Sequence, residues 1–214
     1  MTTARKRAPS ARSLETKARI LDAAEQVFSV HGFEGASLRD IAKLAEVPVG
    51  LVQHHGNNKE DLFCQTVSRR AEELSLIRVE GLEELKEIGD LTLRNILDCF
   101  MRAYLTLAGD GGDHWLAYGR LVAHVSSDPR WKDLAAECFD PTVARFLDEI
   151  LALYPEASRD AAAAGQIYSV SAMLAFLNSG WRIEAMSPGA GDADIEHLID
   201  FCTAGMEAVL KRPS

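Results

Sequence analysis

The sequence predicts an all-α protein in two parts, a small N-terminal three-helix domain built around a helix-turn-helix and a larger helical domain behind it. Three observations carry this. Apolar residues recur every three to four positions along most of the chain, and no stretch alternates as a strand would. The clusters "GDGGD", "SSDP", "YPEAS" and "SPGAGDAD" punctuate the second half as turns between helices. Two short helical patterns, 38–45 and 49–55, are joined by a three-residue turn.

Residues 1–13, rich in Ala, Arg, Ser and Pro, read as a flexible basic arm. From Thr16 onward, Ile20, Leu21, Ala24, Val27 and Phe28 fall at helical spacing, and Gly32 stops that helix. Ser37 opens the second helix, with Asp40 three residues on to complete a capping box. Its apolar face is Leu38, Ile41, Ala42 and Ala45. The third helix, about 49–55, is very short. Asn58 caps a fourth, about 59–80, which links onward. Gly81 and Gly89 bracket a weak turn at the junction between the domains, expected at 14–62 and 63–214. Further helices are expected at 91–108, 114–126, 141–154, 159–186 and 195–211, with a short one at 131–138.

The chain has 214 residues, 47% hydrophobic and 26% charged, so a sizeable core is available. No apolar run approaches the length of a bilayer span, and the basic N-terminus is not followed by an apolar stretch of the secretory kind. A cytoplasmic protein without a membrane partner is the expectation. Cys64, Cys99, Cys138 and Cys202 lie far apart with no CxxC or CxxH pairing, so reduced thiols are expected rather than a zinc site. The net charge of −9 is unevenly spread: residues 1–59 carry a net +3 and residues 60–214 a net −12. A basic front end on an acidic body points to an anionic partner at the front, or to a solvated basic tail.

A helix of seven or so residues cannot stand alone, so the third must be held by its neighbours. On a helical wheel Val47, Leu51, Val52 and His55 gather on one side, and Val49, Gly50, Gln53 and His54 on the other. The second set suits a major groove. Gln bonds an adenine edge, Val touches a thymine methyl, and Gly50 allows close approach. The helix N-termini at Ser37 and Asn58 offer backbone N–H groups to phosphates, and Lys59 adds charge. His54 and His55 are adjacent and diverge on a helix, so they do not chelate one metal in the i, i+4 manner.

The segment "TKARILDAAEQVFSVHGFEGASLRDIAKLAEVPVGLVQHHGNNKEDLF", residues 16–63, resembles the tetracycline-repressor (TetR) family of transcription regulators. It supplies the family's pattern in order: Ile20-Leu21, Ala23-Ala24, Phe28, Gly32-Phe33 and Ala36-Ser37, then Ile41-Ala42, Ala45, Val47, Gly50, His55, Lys59-Glu60 and Leu62. The resemblance implies that Val49, Gly50, Gln53 and His54 face the groove. It implies that Ser37, His55 and Lys59 touch phosphates, with Thr16 and Arg39 on the same DNA-binding surface. Four positions depart from the pattern: Glu46 replaces a turn Gly, Pro48 a Ser/Thr, Gln53 a Tyr, and Gly56 a Phe that packs beneath the recognition helix. Gly56→Phe is therefore expected to raise the melting temperature, unless Phe33 or Phe63 already fills the space.

In the acidic half, Ile195, Ile199, Cys202, Met206 and Val209 form a heptad seam. The apolar helix before it completes one half of an intermolecular four-helix bundle, or packs with it inside one chain; in the family resembled, the last two helices build the homodimer. A small-molecule pocket is expected between the ends. Tyr104, Trp115, Tyr118, Phe139, Phe176 and Trp181 are its candidate walls. Arg120 and Asn178, with His114, His124 and Arg145, are its candidate polar contacts.

The function implied is a homodimeric, sequence-specific regulator of transcription, a repressor that a small-molecule effector releases from double-stranded operator DNA. No catalytic residue, cofactor or metal is expected, since no paired-carboxylate, Ser-His-Asp or phosphate-loop pattern is present. Two other classes remain open at this point: a regulator acting through a protein partner, and a helical enzyme with a recruitment module.

Overall fold

The computed structural model describes residues 10–110, 112–187 and 194–212. Ten α-helices and one 3-10 turn follow one another, and no strand occurs among the described residues. The chain divides into two compact units between Val67 and Ser68, inside the fourth helix.

The first unit holds α1 (Ala11–Gly35), α2 (Leu38–Leu44), α3 (Val49–Gly56) and the start of α4 (Lys59–Ile88). Ser10 caps α1 by accepting from the Ser13 N–H, so the helix begins within the expected arm and residues 11–13 are helical. Residues 1–9 of that arm lie outside the described residues. Regular helical geometry in α1 stops at Gly32, as expected, and a further turn follows it. Gly32 takes φ 65°, a region open to glycine, and kinks the helix, which resumes to Gly35. The kink sets the Phe33 ring against Phe28 and Phe63, with centroids 6.2 and 5.5 Å away. Ile20, Ala24, Phe28, Ile41, Val52 and Phe63 form the buried centre of this unit.

Gly81 does not end α4. It lies inside the helix, where a Cβ would stand 2.9 Å from Cys99 Sγ, so the missing side chain gives clearance to α5 (Leu93–Asp110). The helix runs on to Ile88, and Gly89, at φ +73°, ends it.

The second unit continues with α6 (Asp113–Ser127), the 3-10 turn Pro129–Trp131, α7 (Lys132–Cys138), α8 (Asp140–Leu153), α9 (Arg159–Met186) and α10 (Ile195–Leu210). Leu93, Ile96, Leu97, Phe100, Met101, Tyr104, Leu105 and Ala108 bury one stripe of α5 at alternating spacings of three and one. The α10 helix packs on both α9 and α5. Gly165 makes room on α9 for Met206, whose Sδ would clash with a Cβ there. Arg94 and Arg102 of α5 pair with Glu196 of α10 across the surface.

The centre of the α10 heptad seam packs inside one chain. Ile199, Cys202 and Met206 are buried against the protomer's own helices, and Ile195 and Val209 are half-buried at its ends. For those three buried residues the intramolecular alternative describes the packing seen within the chain. The outward residues of α9 and α10 include Tyr168, Trp181 and Phe201.

Candidate DNA-binding face and ligand cavity

In α2, the Ser37 hydroxyl accepts from the Asp40 N–H at 3.2 Å and donates to Asp40 Oδ2 at 2.5 Å, which closes the expected cap. The turn that follows places Glu46 at φ 52°. Val47 N–H donates to Ala42 O at 3.0 Å, and Arg19 of α1 reaches across to donate to Ala45 O at 2.5 Å. Pro48 occupies the N-cap of α3, where a missing N–H costs nothing.

Only one edge of α3 is buried, through Val52 (0% exposed) and Gly56 one turn later. Gly50, Gln53 and His54 are exposed, as is Arg39 on α2; Val49 and His55 are half-buried. Leu51 was expected on the inner side but is 38% exposed, because an edge centred on Val52 and Gly56 swings its neighbour outward. A Cβ on Gly50 would meet nothing within 4 Å, so the backbone there is open to close approach. The His54 and His55 rings stand edge to face with centroids 5.1 Å apart. Burial, then the charges of His54 and Lys17, hold the His55 imidazole below its ordinary pKa.

Two of the expected phosphate contacts, Ser37 and Lys59, and Thr16 of the expected DNA-binding surface are engaged within the protein. The Thr16 hydroxyl donates to Arg12 O at 2.9 Å, and the Ser37 hydroxyl is committed to the cap. Lys59 turns its ammonium to Ala36 O at 3.3 Å and over the Phe33 ring at 4.5 Å, fastening the kinked end of α1. The space expected beneath α3 is also filled. Leu62, itself buried, comes so close that a Cβ on Gly56 would lie 2.9 Å from its Cβ and Cδ1.

The second unit contains a cavity of about 310 Å³. Ala71, Leu74, Ser75 and Arg78 of α4 form one wall, Phe100, Tyr104, Tyr118 and Val122 a second, and Val170, Met173 and Leu174 of α9 a third. Cys138, Phe139 and Thr142 close it from the α7–α8 side. Of the residues expected there, Tyr104, Tyr118 and Phe139 line it. Trp115 sits behind, edge-on to Tyr104 and Tyr118, with the Tyr104 hydroxyl donating to its carbonyl at 2.6 Å. Phe176, Asn178 and Trp181 lie beyond Leu174 on α9 and do not line it. Asn178 donates back to Leu174 O at 2.9 Å, α9 kinks at Ser179, and Trp181 is 67% exposed. Arg120 is exposed, and neither His114, His124 nor Arg145 lines the cavity.

The residue that sequence reading missed is Arg78. It lies within the expected fourth helix but was not among the candidate ligand contacts, yet the signal is present: one cation inside the apolar run "LSLIRV". It is 9% exposed. Its Nε donates to Phe100 O at 2.8 Å, and its guanidinium lies 3.6 Å from the Phe100 ring centroid. Burial brings its pKa down to about 10, so it keeps its charge at neutral pH. No group of three or more metal-binding side chains occurs among the described residues, and no described helix is long and apolar enough to cross a membrane.

A tri-helical unit that presents a short, exposed second helix of a helix-turn-helix is a DNA-binding module. Residues 20–65 match the family model described as bacterial regulatory proteins, tetR family, and residues 98–205 match that of the tetracyclin repressor-like C-terminal domain. The chain belongs to the TetR family of DNA-binding transcriptional regulators. It is 37% identical over 71 residues to the HTH-type transcriptional regulator UidR of Escherichia coli K12, and equally to that of Shigella flexneri. Those matches span 31% of this chain and about a third, 36%, of the relatives' length. The fold is shared with a TetR-family regulator structure from Shewanella sp. PV-4 (TM-score 0.63, 21% identity, 90% of this chain and 97% of that one). It is also shared with a transcriptional regulator from Rhodococcus sp. Rha1 (TM-score 0.61, 20% identity, 91% and 96%).

Proposed function

We propose that the chain is a homodimeric repressor that leaves its operator when a small molecule occupies the cavity of the second unit. The observation that carries the DNA half is the single buried edge of α3. It turns Gly50, Gln53 and His54 outward together, with Arg39 exposed on the preceding helix as the phosphate contact. In this reading Gln53 and His54 read base edges, and Gly50 lets the helix approach the groove. Two recognition helices are needed for a palindromic site. The outward faces of α9 and α10, with Tyr168 and Phe201, are the surface assigned to the second copy.

The coupling is assigned to α4. That helix supplies Leu62 and Phe63 to the first unit and Ala71, Leu74 and Arg78 to the cavity wall. A ligand that favours the released state weakens operator binding, and by reciprocity operator weakens ligand binding by the same factor. The test is a band-shift of the full chain on the DNA upstream of its own gene. Saturable retardation that a cavity ligand reverses supports the reading. Retardation that no competitor sequence distinguishes from bulk DNA contradicts it.

A further inference from the structure

The interior of the second unit holds a charge, that of Arg78. Arg78 lines the cavity, yet among the described residues no carboxylate pairs with it. Its Nε donates to a neutral carbonyl, and its guanidinium lies on the face of Phe100. Guanidinium carries five N–H donors, and the four on the Nη nitrogens are spaced as the fork that fits a carboxylate. Ser75, one turn earlier on α4 and also lining the cavity, accepts from the Thr142 hydroxyl at 2.9 Å and so keeps its own hydrogen to donate. The charges at the rim do not compete. Asp128 pairs with Arg130 at 3.0 Å, and Asp140 and Lys132 are exposed.

We propose that the cavity is a site for an apolar monocarboxylate, its carboxylate on Arg78 with help from Ser75 and its body among Tyr118, Val122, Met173 and Leu174. This rests on the reading of the cavity as the effector site and adds the ligand's class. A buried cation is costly unless an anion and further hydrogen bonds answer it, so an acid gains more here than a neutral molecule of the same shape. A cationic ligand is disfavoured because Arg78 already occupies the Phe100 face and repels it. A phosphate dianion finds one buried guanidinium, and Lys132, the other cation that lines the cavity, is exposed. At about 310 Å³ the cavity is roughly twice one that holds benzene, which suits a two-ring acid or a medium-chain acid.

The experiment is calorimetric titration of the full-length protein with 1-naphthylacetate and decanoate, each against its alcohol, 2-(1-naphthyl)ethanol and decan-1-ol. Each acid is expected to bind about 10- to 100-fold more tightly than its alcohol. In Arg78→Met that preference should vanish through weaker acid binding, with alcohol binding kept. The wild-type comparison decides the matter alone if the variant does not fold. Alcohols binding as tightly as acids, or neither series binding, overturns the proposal. The same titrations repeated with operator DNA separate the two readings. Alcohols that bind and release operator leave the effector role standing and the acid class wrong. Acids that bind through Arg78 without changing operator affinity leave the acid site standing and the effector role wrong.

Discussion

Arg19 donates to the carbonyl oxygen of Ala45 at 2.5 Å, so a residue of the basic front end closes the turn between α2 and α3. Its Nη2 also lies 3.4 Å from Glu46 O. Carbonyls at the end of α2 have no partner inside their own helix, and a cation there answers both the open acceptors and the helix dipole. Positive charge on the proposed DNA-binding face is thus divided between Arg19, which holds the turn, and Arg39, the proposed phosphate contact. Arg19→Ala should lower stability by about 1–2 kcal/mol in a denaturant melt. Arg39→Ala should leave the melt unchanged and weaken binding to all DNA sequences alike.

Glu46 is the residue of that turn with φ 52°, a conformation that disfavours side chains with a Cβ. Glu46→Gly should raise stability by about 1 kcal/mol, whereas Glu46→Ala, which keeps the Cβ, should not. Parallel thermal melts of the two variants check this.

Gly56 is a contact position. With Leu62 at 2.9 Å from the place of a Cβ, Gly56→Phe should lower stability by about 1–3 kcal/mol instead of raising the melting temperature. Leu62 already fills the space that the sequence had left to Phe33 or Phe63. Partial recovery in Gly56→Ala combined with Leu62→Ala would identify Leu62 as the obstacle.

His55 carries a pH signature. Its folded pKa is held below the ordinary 6.5, first by burial and then by the charges of His54 and Lys17. The unfolded chain therefore takes up this proton first as pH falls. Stability should be unaffected above pH 6.5 and decline below it, until the folded imidazole also protonates. Urea melts between pH 7.5 and 5 should show a decline that His55→Gln reduces. An unchanged slope in that variant contradicts the assignment.

Local chemistry was legible in the sequence. Ser37 and Asn58 cap the helices they precede because an Asx or hydroxyl side chain three residues from an open N–H needs no tertiary help. What depends on a distant partner was not legible. Gly81 looked like a breaker because its partner, Cys99, lies on another helix. The spacing of Ile199, Cys202 and Met206 gave the buried face of α10 but not whose surface covers it. In the cavity, Tyr104, Tyr118 and Phe139 were found by residue type. Trp181 and Asn178 were misplaced because type says nothing of which face of α9 a residue occupies, and Arg78 was passed over because the candidates were sought only beyond α4.

The central claim is that the exposed face of α3 reads DNA sequence. Its most direct test is fluorescence anisotropy with a duplex selected by the full-length protein from a random pool, and a scrambled duplex beside it. Gln53→Ala should cost about 1–3 kcal/mol on the selected duplex, with little change on the scrambled one. Equal binding of both duplexes by wild type, or selected-site binding unaltered by Gln53→Ala and His54→Ala together, would contradict the account.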